Sequence, residues 1–110
     1  MKATYLIAAA AATLAFAMPA SAAPDADAAN KFAKDNGCTK CHSVDKTKKG
    51  PAYQKTAAKY KGKADAEAKL TTFVTTGPKV KMDGAEEEHK AIASKDPAQA
   101  KNLVQWILAQ

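Results

Sequence analysis

Past its first 22 residues the chain predicts an all-α domain of short helices, and three observations carry that prediction. Apolar residues recur at the i, i+3, i+4 spacing of a helix face, with no run of the alternation that marks a strand. The runs open on aspartate or close on glycine and Gly-Pro, which are start and stop signals for helices. The supply of large apolar side chains is also thin: Phe32, Tyr53, Tyr60, Phe73 and Trp106 are the aromatics that follow residue 22. A chain this small buries a modest core and commonly needs a cross-link, metal or cofactor. Something other than polypeptide is expected in the middle.

Residues 1–22 read as a cleaved secretory signal peptide, which makes 23–110 the domain. Met1-Lys2 is a positive start, Tyr5 to Phe16 is an uncharged, alanine-rich apolar run, and Ala20 and Ala22 are the small residues of an A-x-A cleavage site. The apolar run is shorter than the ~20 residues of a membrane span, so no stable membrane insertion is expected after cleavage.

Asp25 and Asp27 open the first expected helix, because acids suit the positive end of the helix dipole. It runs to about Asn36, with Ala29, Phe32, Ala33 and Asn36 on one face and Gly37 as its stop. A short helix is expected over Ala52 to Tyr60, closed by Gly62, and another over Asp65 to Thr76, closed by Gly77-Pro78. Ala66, Leu70, Phe73 and Val74 share a face of the latter. In the last helix Asp96 caps, Pro97 takes the first turn, and Ala100, Leu103, Trp106, Ile107 and Gln110 line one side. Between Gly77 and Asp96 lies a long connection with no convincing strand, expected to be functional or to hide a helical turn over Glu86 to Ala93.

The chain carries a formal charge of +6, and every basic residue is lysine. Residues 31–63 hold ten Lys against two acids, whereas 64–110 hold six Lys against seven acids. Nucleic acid is disfavoured as a partner by the lack of arginine, the export signal and the missing pattern of stacking aromatics. An acidic protein outside the cytoplasm fits better, with charge steering the encounter.

Both cysteines fall in "CTKCH", Cys38 to His42, inside that basic half. A zinc site is a poor reading, because His42 adjoins Cys41 and His89 stands alone. A thioredoxin-like pair would need a strand–helix–strand context, and a plain disulfide would do little for so thin a core. C-x-x-C-H is also the attachment signature of c-type haem. Two thiols three positions apart can each add to one vinyl group of the porphyrin, and the next residue offers an imidazole to the iron. A covalently held apolar plate would supply the missing core.

With these residues in view, the chain resembles the small monohaem class I cytochromes c of the bacterial periplasm. The likeness rests on "CTKCH", on "GPAYQKTAAKYKGKADAEAKL" and on "AKNLVQWILAQ", and so covers essentially all of 23–110. It implies a class I cytochrome c fold around one covalently attached haem c. It implies that Cys38 and Cys41 hold the haem, that His42 binds iron, and that the Pro51 carbonyl orients the His42 ring. It also implies that the first and last helices pack together, pairing Phe32 with Trp106.

For the other face of the iron, a His/Met pair is the electron-transfer arrangement, and the thioether raises the potential. Met82 is the sole methionine after residue 22 and sits in the polar stretch "KVKMDG", so it is the preferred sixth ligand. His89 is the alternative and would give a bis-His haem of lower potential. It lies 17 residues before Trp106, nearer the family's separation than Met82 at 24. The expected function is a periplasmic, monomeric one-electron carrier, not an enzyme. Its expected partners are redox proteins with acidic docking patches; Lys40, Lys46, Lys48, Lys49 and Lys55 lie near the attachment segment, where they could ring the haem edge or serve only to keep the protein soluble. The rival is a haem-based catalyst or gas-binding protein with a displaceable or His89 sixth ligand.

Overall fold

The structure, a computed structural model, describes residues 23–110. The expected signal peptide over 1–22 lies outside the described residues. Four helices follow in order: α1 Ala26–Asp35, α2 Tyr53–Tyr60, α3 Ala66–Thr76 and α4 Pro97–Leu108. A two-stranded antiparallel sheet, β1 Lys79–Met82 and β2 Ala85–Glu88, separates α3 from α4. The fold is mostly helical, as the spacing predicts, and the helix bounds fall within a residue or two of those expected.

Helix α4 is the hub, packing against α1, α2 and α3. Its stripe supplies the fully buried Leu103 and Val104, together with Ala100, Trp106 and Ile107. Burying a Leu or Val side chain of this kind stabilises the fold by ~1.5–3 kcal/mol. Against α4, helix α1 turns Ala29 and Ala33, small enough to let the two helices close on each other. Side-chain hydrogen bonds tie down both ends of α1, the first to α4 and the second to the segment that precedes α4. At the start of α1, the Asp25 N–H donates to Asn102 Oδ1 (2.8 Å) while Asn102 Nδ2 donates to the Asp25 carbonyl (2.9 Å). At its end, buried Asn36 donates from Nδ2 to the Phe32 carbonyl and accepts at Oδ1 from the Ala93 N–H (both 2.9 Å). Asp25 and Asp96 cap their helices as expected, accepting from the Ala28 and Ala98 N–H groups.

Phe32 packs on this core, but the ring set against Trp106 is Tyr53, edge-on with centroids 5.4 Å apart. The expected packing of first and last helices therefore holds, with α2's first residue supplying the aromatic neighbour.

The connection after α3 departs from expectation. A β-hairpin stands where a helical turn over Glu86 to Ala93 was expected, with Lys79 opposite Glu88, Val80 opposite Glu87, Lys81 opposite Glu86 and Met82 opposite Ala85. "AEEE" is a sequence of good helix formers, yet Asp83 and Gly84 both take positive φ (51° and 81°) and turn the chain tightly back. Asp-Gly is the signature of such a turn, and it sets two Lys–Glu pairs across the ladder, where opposite charges are favourable.

Candidate haem site

Gly37 ends α1 in the left-handed region (φ 73°), and a single 3-10 turn over Cys38–Lys40 follows at once. Within it the Cys38 carbonyl accepts from the N–H groups of both Cys41 (3.2 Å) and His42 (2.9 Å). The turn leaves the two thiols half-buried and free. Among the described residues no three His, Cys, Asp or Glu side chains gather as a zinc site requires. Burial pushes the Cys38 thiol up from its ordinary pKa, against the pull of its backbone hydrogen bond and of Lys90.

The loop from His42 to Ala52 is laced to itself. Gly50 N–H donates to the Cys41 carbonyl (2.8 Å), Lys48 Nζ to the Thr39 carbonyl (2.8 Å), and Tyr53 N–H to the Ser43 carbonyl (2.9 Å). Inside it His42 Nδ1 lies 2.8 Å from the Pro51 carbonyl oxygen. A carbonyl can only accept, so Nδ1 carries the proton and Nε2 keeps its lone pair, the form of imidazole a metal binds. Gly50 is required beside it. A Cβ there would overlap His42 Cε1 and stand 2.7 and 2.8 Å from the two ring nitrogens. The sequence reading assigned a role to Pro51 and passed over Gly50, although both belong to the same Gly-Pro pair.

Tyr53 covers another side of the imidazole, with centroids 5.5 Å apart and planes 20° from parallel. Burial, aided by Cys38, pushes the Tyr53 phenol up to about 12. Tyr53 Oη and His89 Nδ1 are buried polar atoms without a hydrogen-bond partner among the described residues.

His89 follows β2 at the base of the hairpin, where its N–H donates to the Pro78 carbonyl (2.9 Å). Its ring meets the edge of Phe73 (4.7 Å) and lies 6.0 Å from the His42 ring, tilted by 45°. Burial, and secondly His42, hold its pKa below the usual histidine value. Gly77 makes the approach possible: it ends α3 in the left-handed region (φ 61°), and a Cβ there would run into the His89 carbonyl. Met82 sits at the other end of the hairpin, half-buried beside the Asp83-Gly84 turn. The structure thus brings Cys38, His42, Pro51 and His89 into one region and sets Met82 at the hairpin tip.

Comparison with known proteins decides what family this arrangement serves. The family model described as cytochrome c matches residues 26–110. The chain belongs to the cytochrome c family. It is 37% identical over 75 residues to cytochrome c-551 of Pseudomonas denitrificans, covering 68% of this chain and 88% of that protein. It is 40% identical over 81 residues to cytochrome c2 of Rhodocyclus tenuis, covering 71% of this chain and 87% of the relative. Among solved structures it is similar to the class 1 cytochrome MtoD of Sideroxydans lithotrophicus ES-1, with 60% identity and a TM-score of 0.76. That match covers 79% of this chain and 97% of the other.

As a class I cytochrome c, the chain carries one covalently attached c-type haem and works as a one-electron carrier. The residues present fit that group. Two free thiols precede an imidazole whose Nδ1 is taken up by the Pro51 carbonyl, which in the neutral ring leaves the other nitrogen its lone pair. Phe32, Val44, Leu70, Phe73, Val74 and Ile92 are apolar yet only half-buried by the polypeptide, and the two unpartnered polar atoms belong to rings joined through His42, Tyr53 and His89.

Proposed function

We propose that this cytochrome is an exported, monomeric electron shuttle of the periplasm rather than a catalyst, with Cys38 and Cys41 holding the haem and His42 binding its iron. The observation that carries the assignment is the 2.8 Å hydrogen bond from His42 Nδ1 to the Pro51 carbonyl. It fixes the tautomer and ring orientation, and it raises the basicity of the other nitrogen. Gly50 against one part of the ring and Tyr53 stacked on another restrict its rotation. A ligand held this firmly changes position little between oxidation states, which suits a carrier. Bound haem supplies the one-electron couple at iron. The protein's part is to keep the imidazole aimed and to present a charged surface to partners.

Lys40, Lys46, Lys48, Lys49 and Lys55 are all exposed around the attachment segment. Among the described residues the ion pairs are Lys31–Asp35 and Lys69–Asp65, so none of these five is neutralised by a neighbouring acid. They favour fast, weak docking to acidic patches on redox partners. The signal-like stretch at 1–22 supports export. No helix among the described residues is long and apolar enough to cross a membrane.

The test is made on the exported, matured protein. Cys38→Ser and Cys41→Ser are each expected to shift the alkaline pyridine haemochrome band towards that of a haem with one thioether, and the double variant to lose covalent haem on a denaturing gel. Electron transfer to an anionic metal complex is expected to slow as salt rises, and transfer to a cationic complex to quicken. A haem that survives loss of both cysteines would sink the attachment assignment. Rates indifferent to salt would remove the docking role from the lysines.

A further inference from the structure

We propose that His89, rather than Met82, is the second axial ligand, so that the iron of this cytochrome sits between two imidazoles. The inference rests on the assignment of His42 and extends it to the other side of the metal.

The spacing of the rings is the first argument. With metal–imidazole bonds of about 2.0–2.1 Å and about 1.1 Å from nitrogen to ring centre, two axial imidazoles stand about 6 to 6.5 Å apart. His42 and His89 are 6.0 Å apart, centroid to centroid. Nothing between the two residues forces this distance: they are not hydrogen-bonded to each other, and they lie in segments far apart in sequence.

The backbone around His89 is built to hold it there. Its N–H is bound to the Pro78 carbonyl, and three residues on the Ile92 N–H donates to the Val74 carbonyl (both 2.9 Å). The next N–H, of Ala93, donates to buried Asn36. Gly77 lets the carbonyl of His89 close onto the end of α3 where any side chain would collide. Phe73 buttresses the ring from α3. Segment 89–93 is therefore clamped by the ends of α1 and α3, and the clamp ends in an imidazole with a buried, unpartnered nitrogen. Buried polar atoms almost always have a partner, and none among the described residues meets Nδ1 in hydrogen-bond geometry, so the ring is not committed to a structural hydrogen bond.

Four ladder steps separate the Met82–Ala85 pair from the Pro78–His89 base of the hairpin. At ~3.3 Å per residue along a strand this is about 13 Å. Met82 thus starts at the far end of the hairpin from the residue that already presents a donor at ligand spacing.

The experiment uses the purified, haem-loaded protein in the ferric state. Near-infrared magnetic circular dichroism and low-temperature EPR are expected to show a low-spin iron with two nitrogen ligands and no sulfur-to-iron charge-transfer band. Met82→Leu is expected to leave both spectra and the midpoint potential unchanged. His89→Ala is expected to lose the low-spin spectrum and to regain it on adding free imidazole. His89→Met, which offers a thioether at the same place, is expected to gain the sulfur band and a higher potential. A sulfur band in the wild type that vanishes in Met82→Leu would overturn the inference while leaving the carrier assignment intact. Failure of His42→Ala to alter the spectrum would overturn the assignment beneath it.

Discussion

The segments Cys38–Pro51 and Gly77–Ala93 each deliver one of two imidazoles that stand 6.0 Å apart, and they are held by different means. The first is local: every bond that orients His42 comes from within its own loop, from Cys38 to Tyr53. The second is tertiary: His89 is positioned by Asn36 of α1's end, by Val74 and Phe73 of α3, and by the Gly77 turn. A local site is written into contiguous residues, whereas a tertiary one exists only once the helices have docked. The His42 side should therefore tolerate loosening of the helix packing better than the His89 side.

The largest expected effect attacks what the two segments share. Leu103 is 1% exposed at the centre of α4, and Leu103→Ala is expected to cost about 2–5 kcal/mol. Urea melts of the haem-loaded protein followed by tryptophan fluorescence measure it. The ferric spectrum should then show loss of the His89 side at lower urea than loss of the His42 side. A single coincident transition, or a cost well under 1 kcal/mol, would remove α4 as the common support.

Two glycines sharpen the comparison one segment at a time. Gly77→Ala puts a Cβ into the His89 carbonyl at a residue with φ 61°, and Gly50→Ala puts one into the His42 ring. Overpacking of this kind costs roughly 1–3 kcal/mol. Gly77→Ala is expected to loosen His89, the proposed sixth ligand, read as easier entry of added imidazole or cyanide. Gly50→Ala is expected to shift the potential and the EPR g-values while leaving ligand entry nearly unchanged. The reverse pattern would mean that the two glycines serve the other segment.

The smallest effect appears only in alkali. Burial raises the Tyr53 phenol from 10.0 to about 12. In the unfolded chain it loses its proton at the lower value, so between pH 10 and about 12 the unfolded state binds fewer protons and folding stability falls as pH rises. Tyr53→Phe is expected to flatten that part of the pH–stability curve, with little change at neutral pH. A curve equally steep in both proteins would show that the phenol is not buried in the manner described.

The same contrast explains what could be read from the sequence. The contact between His42 and Pro51 was legible, because it joins residues of one short loop; the haem roles proposed for Cys38, Cys41 and His42 rest on their residue types and spacing. Helices α1 to α4 were legible from apolar spacing and from their Asp and Gly ends. The hairpin was not. "AEEE" favours helix by propensity, and the Asp83-Gly84 turn that overrides it was passed over as loop. With the hairpin missing, the connection had no base and no tip, so Met82 and His89 could be weighed only by residue type and by distance from Trp106. Gly77 likewise read as a helix stop, because its second role depends on a carbonyl twelve residues away in sequence.

A reversible one-electron couple at a firmly held haem is the central claim. Spectroelectrochemical titration of the exported holoprotein tests it most directly, with the visible spectrum followed from fully oxidised to fully reduced and back. One Nernst wave with n = 1 is expected, superimposable in the two directions, with a low-spin spectrum at both ends and no change on exposing the reduced form to carbon monoxide. Hysteresis between the two directions, or prompt carbon monoxide binding to the reduced protein, would contradict it.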